Sequence, residues 1–173
     1  MREIADSDRI RRFMTHLGAE ADAETRVYFT GGATAVLLGW RQSTIDVDIL
    51  IVPENDRLLR AIPRLKEELR INVELASPQD FIPVPPGWES RSLFIGSAGK
   101  IAFYHFDPYA QAVAKIERSH EQDLEDVQAL IRTGLVDRRR ALEYFQRIEP
   151  ELYRYPAIDP RSFRRAVEET FRV

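Results

Sequence analysis

Apolar residues recur at helical spacing over residues 7–17, at Ile10, Phe13, Met14 and Leu17, with charged residues between them. This pattern predicts an amphipathic helix that Asp6 or Ser7 can cap and Gly18 can close. A polar, alanine-rich linker over 19–25 follows. Val27-Tyr28-Phe29 predicts a short buried strand that runs into Thr30-Gly31-Gly32, and 33–38 predicts a helix closed by Gly39. Residues 45–52 are apolar and mostly β-branched except for Asp46 and Asp48, and Pro53 stops the run. They predict a central strand with Ile45, Val47 and Ile49 turned into the core. Residues 55–69 have a helical pattern in which Pro63 either kinks the helix or starts a second one. Residues 71–75 predict another strand.

Residues 77–88 carry Pro78, Pro83, Pro85 and Pro86, together with Phe81, Ile82 and Trp88, which need burial. A proline-stiffened ordered loop is expected there. Residues 93–95, a Gly96-Ser97-Ala98-Gly99 turn and residues 100–106 predict a hairpin. After Asp107-Pro108 the pattern becomes helical, over 109–132, 138–148 and 161–171. Ser119 and Gln122 fit a capping box, so 109–132 is one helix or two that meet near Ser119. The expectation is an α+β protein: an α/β core over 1–106 with its N-terminal helix, and a short helical part over 107–173 packed on it. No internal repeat or low-complexity tract interrupts this plan.

Composition narrows the function classes. A chain of 173 residues can bury one core. A net charge of −3 excludes a polybasic tail but leaves room for a local basic face. With no cysteine, disulfides, thiolate metal sites and cysteine nucleophiles are excluded. The first residues show no apolar signal segment, and the longest apolar runs are too short to span a bilayer. No membrane partner and a cytoplasmic location are expected.

The chemistry concentrates between Tyr28 and Val52. Paired glycines permit positive φ and let a ligand approach the backbone. A helix starting directly after Gly31 and Gly32 offers N–H groups to phosphate, and Thr34 adds a hydroxyl in its first turn. Strand residues two apart share a face, so Asp46 and Asp48 aim two carboxylates at one spot. Two hard oxygen ligands suit Mg²⁺, or Mn²⁺, with substrate phosphates completing the coordination. Two carboxylates in so apolar a strand would repel each other unless something compensates them.

The run Phe29-Thr30-Gly31-Gly32-Ala33-Thr34, then Arg41, Ser43 or Thr44, then Asp46-Val47-Asp48-Ile49 resembles the polymerase-β-type nucleotidyltransferase signature. The nearest resemblance is to the abortive-infection, type IV toxin nucleotidyltransferases and neighbouring uncharacterised bacterial families. It implies a nucleotidyltransferase-fold mixed sheet with flanking helices. The implied activity is Mg²⁺-dependent transfer from a nucleoside triphosphate to a hydroxyl on tRNA, protein or a small molecule. A toxin-like role would bring a cognate antitoxin as partner. The resemblance also implies a third carboxylate on a later strand, and Val73-Glu74-Leu75 fits it better than Asp107, for which a helix cap is the simpler role. Glu74 would then join Asp46 and Asp48 as a metal ligand and act as the catalytic base.

The resemblance further implies a lysine and an aspartate in the C-terminal helices that bind nucleotide. Lys115 fits the first and Asp123 the second, with Asp126 an open alternative. On one continuous helix Lys115 and Asp126 would differ by about 20° and lie opposite the stripe of Val113, Ile116, Leu124, Val127 and Ile131. The rival reading is a nucleotidyltransferase fold kept as a catalytically silent binding module. Gly96–Lys100 lacks P-loop spacing, and His16, His105 and His120 lack metal-ligand spacing. Arg138-Arg139-Arg140 after Asp137 reads first as a helix start.

Overall fold

Strand and helix propensities along the first hundred residues resolve, in the computed structural model, into a five-stranded mixed sheet with helices against one face. The structure describes residues 3–173. The chain divides into two compact units. The first runs to Ser77 and resumes over Ser92–Phe106; the second comprises Pro78–Arg91 and Asp107–Val173.

The first unit contains β1 (Ala5–Asp6), α1 (Ser7–Glu20), β2 (Thr25–Thr30), α2 (Gly32–Leu38), β3 (Ser43–Thr44), β4 (Asp46–Val52), α3 (Asp56–Leu69), β5 (Asn72–Leu75), β6 (Leu93–Ala98) and β7 (Ile101–His105). Its sheet has the order β5-β4-β2-β7-β6, and β1 pairs separately with β3. The pairs β2–β4 and β6–β7 are antiparallel, whereas β2–β7 and β4–β5 are parallel.

Alternation sets the two faces of this sheet. Val47, Ile49 and Ile51 of β4 are buried, as are Val27 and Phe29 of β2, Val73 of β5 and Phe103 of β7. They form one cluster with Ile10, Phe13 and Leu17 of α1 and Leu58, Ala61, Ile62 and Leu65 of α3. The intervening residues of β4, including Asp46 and Asp48, point to the opposite face and are only half-buried. Ile45 departs from the expectation: it lies before the strand and is 56% exposed, because pairing with β5 starts at Asp46.

Gly18 also departs from its expected role. It lies inside α1, which continues to Glu20. A Cβ there would come within 2.6 Å of the Ala98 Cβ, so glycine serves close packing of the β6–β7 hairpin on the helix rather than termination. The hairpin turn is tighter than the expected four residues. Ala98 pairs with Ile101, leaving Gly99 and Lys100 as the loop, with a register shift between Phe94 and Gly96. Pro63 stays inside a single helix α3, capped by the Asn55 side chain.

The second unit contains α4 (Trp88–Arg91), α5 (Pro108–Arg118), α6 (Glu121–Arg132), α7 (Arg138–Ile148) and α8 (Pro160–Thr170), with 3₁₀ segments over Pro78–Asp80 and Glu149–Arg154. Asp107 caps α5 by accepting from Tyr109 N at 3.0 Å. Its second oxygen accepts from Arg91 Nε at 2.7 Å and from the Tyr144 hydroxyl at 3.3 Å. Arg91 also donates to the carbonyls of Pro85 and Pro86 and stacks over the Tyr144 ring. The proline-rich stretch is therefore held by the helical unit. Burial and the Asp107 charge push the Tyr144 hydroxyl pKa up, so the phenol stays protonated. Helices α5 and α6 are separate. Ser119 takes φ 58° at the end of α5 and donates to the Ile116 carbonyl, so the expected capping box does not form and His120 precedes α6 instead.

Candidate functional site

The first turn after β2 is built from two glycines that are required for different reasons. Gly31 has φ 66°, a left-handed conformation that side chains rarely adopt, and a Cβ there would lie 3.3 Å from Asp48 Oδ2. At Gly32, a Cβ would collide with the Thr44 hydroxyl oxygen and come within 2.7 Å of the Thr44 Cβ and 3.0 Å of Arg41 Nη1. The connection ahead of β4 is thus pressed against the turn, and Thr44 donates to the Asp46 carbonyl at 3.1 Å. Sequence brings the glycines and the aspartates within one strand-helix-strand unit; pairing of Thr30 with Asp48 brings them into contact.

Across the parallel β4–β5 pair, Asp46 lies beside Asn72 and Asp48 beside Glu74. These four residues occupy one face. The Asn72 side-chain amide donates to Asp46 Oδ1, and its nitrogen lies 3.4 Å from Glu74 Oε1. Asp48 Oδ1 is shielded from solvent, whereas Glu74 is exposed. Among the described residues, no group of three or more His, Asp or Glu side chains closes on a common point that could hold a metal. Asp46 and Asp48 therefore offer a two-carboxylate arrangement, with Glu74 on the same face but not drawn in as a third ligand. That set still fits Mg²⁺, which commonly takes one or two protein carboxylates and fills its remaining positions with water and phosphate.

Thr34 is placed differently from its expected role. It is 2% exposed, and its hydroxyl lies 3.4 Å from the Phe29 carbonyl and 3.0 Å from His105 Nδ1. The side chain is thus used within the fold. His105 is buried, and that burial, with a smaller contribution from Arg11, pushes its pKa down to about 4. It is neutral at pH 7 and belongs to the core, as its sequence context implies. An open cavity of about 680 Å³ in this unit lies at the other end of β2, beside Glu24, Arg26, Val52, Lys100 and Tyr104, and is not lined by Asp46, Asp48 or Glu74.

Lys115 and Asp123 belong to the second unit. Lys115 Nζ lies 2.7 Å from Asp126 Oδ2 and 3.5 Å from Asp123 Oδ1. All three side chains are at least nine-tenths buried. Arg118 Nε approaches Asp123 Oδ2 at 3.7 Å. Of the two alternatives over 109–132, the structure takes the two helices that meet near Ser119: Lys115 meets Asp126 between them, buried rather than opposite the apolar stripe. Leu124, a member of that stripe, is instead exposed.

The family model described as "Nucleotidyltransferase of unknown function (DUF6036)" matches residues 8–156. The chain belongs to this nucleotidyltransferase family. Comparisons with curated proteins and with solved structures gave no match. The matched span includes the glycine turn, both aspartates, Glu74 and the Lys115 cluster, so the family covers both units. No described helix of this nucleotidyltransferase-family protein is long and apolar enough to cross a membrane.

The contacts of two further residues at the site depend on the fold. Asn72 carries a signal only in hindsight: it alternates with Glu74, but its place beside Asp46 depends on a register set across the whole of α3. Arg41 is part of the sequence signature, yet only the contact geometry puts its guanidinium against Gly32.

Proposed function

We propose that this protein binds a nucleoside triphosphate with Mg²⁺ or Mn²⁺ on the face bearing Asp46 and Asp48 and transfers its nucleotidyl group to an acceptor hydroxyl. The observation that carries this reading is the approach of the Asp48 carboxylate to the Gly31–Gly32 turn. A phosphate admitted by the glycines would lie beside the two carboxylates that suit a divalent cation. When bound, that cation supplies charge neutralisation for the phosphates and acidifies the attacking hydroxyl.

The protein groups then have distinct tasks. Asp46 and Asp48 hold the cation. Arg41, against Gly32, offers its charge to the phosphates. Glu74, exposed on the same face, is the base that takes the acceptor proton as the acceptor oxygen bonds to the α-phosphorus and pyrophosphate leaves. Lys115 and Asp123 enter as nucleotide-binding residues through the resemblance alone. A phosphate contact by Lys115 would compete with Asp126 for the ammonium group. The acceptor class (tRNA, protein or small molecule) and a toxin-like role with an antitoxin partner likewise rest on the resemblance.

A second reading, a silent binding module, is favoured by one observation: three carboxylates do not converge among the described residues. Thermal melting with each of the four nucleoside triphosphates, with and without Mg²⁺, separates the two when followed by a turnover assay. A ligand at a hundred times its dissociation constant adds about 2.7 kcal/mol of stability. A Mg²⁺-dependent shift for one nucleotide, lost in Asp48→Asn and accompanied by pyrophosphate release, supports the enzyme. A shift without release supports the module, and no shift with any nucleotide removes the nucleotide site.

A further inference from the structure

We infer that Asn72 is a positioning residue for the carboxylate site, holding Asp46 in the orientation that accepts a divalent cation; this rests on the cation reading above. Three observations converge on it. The first is placement: β5 pairs only with β4 in the five-stranded sheet, and the register sets Asn72 beside Asp46 and Glu74 beside Asp48. Of these four residues on one face, Asn72 alone has side-chain N–H donors.

The second is bonding. A primary amide has two N–H donors on one nitrogen. Here that nitrogen donates to Asp46 Oδ1 and lies 3.4 Å from Glu74 Oε1. The opposite amide orientation would turn its carbonyl oxygen toward carboxylate oxygens, so the assignment follows from the partners. The third is residue choice. Asparagine is disfavoured in strands, where β-branched and aromatic residues fit better. Its amide has a use at this position that a strand former would not supply.

Asp46 is the first residue of β4, where pairing with β5 begins at Asn72. Anchoring Oδ1 leaves Oδ2 for a ligand. The same neutral amide joins Asp46 to Glu74 without adding positive charge, so the site keeps its attraction for a cation. Carboxylate ligands are commonly held by such outer hydrogen bonds, and losing one typically costs 10–100-fold in metal affinity.

The test is Mn²⁺ binding to the full chain, followed by loss of the free-Mn²⁺ paramagnetic resonance signal, with thermal melting to confirm folding. Asn72→Ala is expected to raise the Mn²⁺ dissociation constant about 10–100-fold. Asn72→Gln keeps both N–H donors on a longer arm and is expected to recover most of that loss. Unchanged affinity in Asn72→Ala overturns the inference while leaving the cation site intact, and so does an Asn72→Gln loss as large as that of Asn72→Ala. Absence of Mn²⁺ binding by the unsubstituted protein overturns the cation reading and this inference together.

Discussion

Two acidic clusters in this protein are built on opposite principles. In the helical unit, Asp123 and Asp126 are buried around Lys115, with Arg118 at the margin, so two carboxylates meet two cations. In the sheet unit, Asp46 and Glu74 are joined by the neutral amide of Asn72. The first cluster is electrically complete in itself. The second places Asp46, Asp48 and Glu74 on one face beside the Gly31–Gly32 turn, with a neutral amide between two of them. Proximity of carboxylates alone therefore does not distinguish the two clusters; what lies between the carboxylates does.

The most drastic way to probe the comparison is Asp46→Asn. If the sheet cluster is the chemical one, this variant loses nucleotidyl transfer to background and keeps its melting transition. Retained turnover would reverse the roles of the two clusters. Next comes Lys115→Ala, which leaves two buried carboxylates without their central cation. Breaking a buried pair from one side costs about 3–5 kcal/mol, so the urea midpoint is expected to fall sharply. A variant of normal stability that no longer responds to nucleotide would instead place Lys115 at the ligand.

A smaller effect is expected from His105. Its folded pKa is about 4, against 6.5 when unperturbed. The folded state therefore binds fewer protons than the unfolded chain between these values. The neutral, buried imidazole contributes stability above pH 6.5 that is lost as pH falls toward 4, about 3 kcal/mol at most. His105→Gln is expected to flatten that part of the stability–pH curve; an unchanged curve would mean the ring is not held as buried. The smallest effect is that of Gly32→Ala. Its methyl would collide with Thr44, and overpacking of this kind costs about 1–3 kcal/mol. Melting should fall modestly, while the nucleotide-dependent shift should fall further, because Arg41 must move with Thr44.

The sheet cluster was legible where chemistry and chain order coincide. The strand containing Asp46 and Asp48 announced itself by its apolar neighbours, and the glycines by their position between strand and helix. Glu74 enters only through the family resemblance, because one charge between two apolar residues does not by itself mark a ligand. Its relation to Asp48, and Asn72 altogether, depended on how β4 aligns with β5 across α3, which no local pattern encodes. Thr34 looked available because a first-turn hydroxyl commonly is; packing against His105, distant in sequence, decided otherwise. In the helical unit the periodicity was clear and a break near Ser119 was one of two readings, but the role of Ser119 in it was not legible. Ser119 suits the start of a helix, yet its left-handed conformation ends one, and that reversal turned Lys115 from an outer face to an inner one. Gly18 failed for a related reason: glycine marks both helix ends and close crossings, and only the approach of Ala98 tells which.

The alternation of the chain between its two units sets a limit on how the protein can be taken apart. The excursion over Pro78–Arg91 belongs with the helices, and the chain returns to the sheet only afterwards. A fragment ending at Phe106 would keep Arg91 but discard Asp107, its carboxylate, and Tyr144 beneath it. It would also strip the Gln79 carbonyl of the Tyr155 hydroxyl. No single cut releases one intact unit from the other, so truncation is a poor instrument for assigning activity to either, and a recombination point chosen by sequence order would break the helical unit wherever it fell between residues 78 and 106.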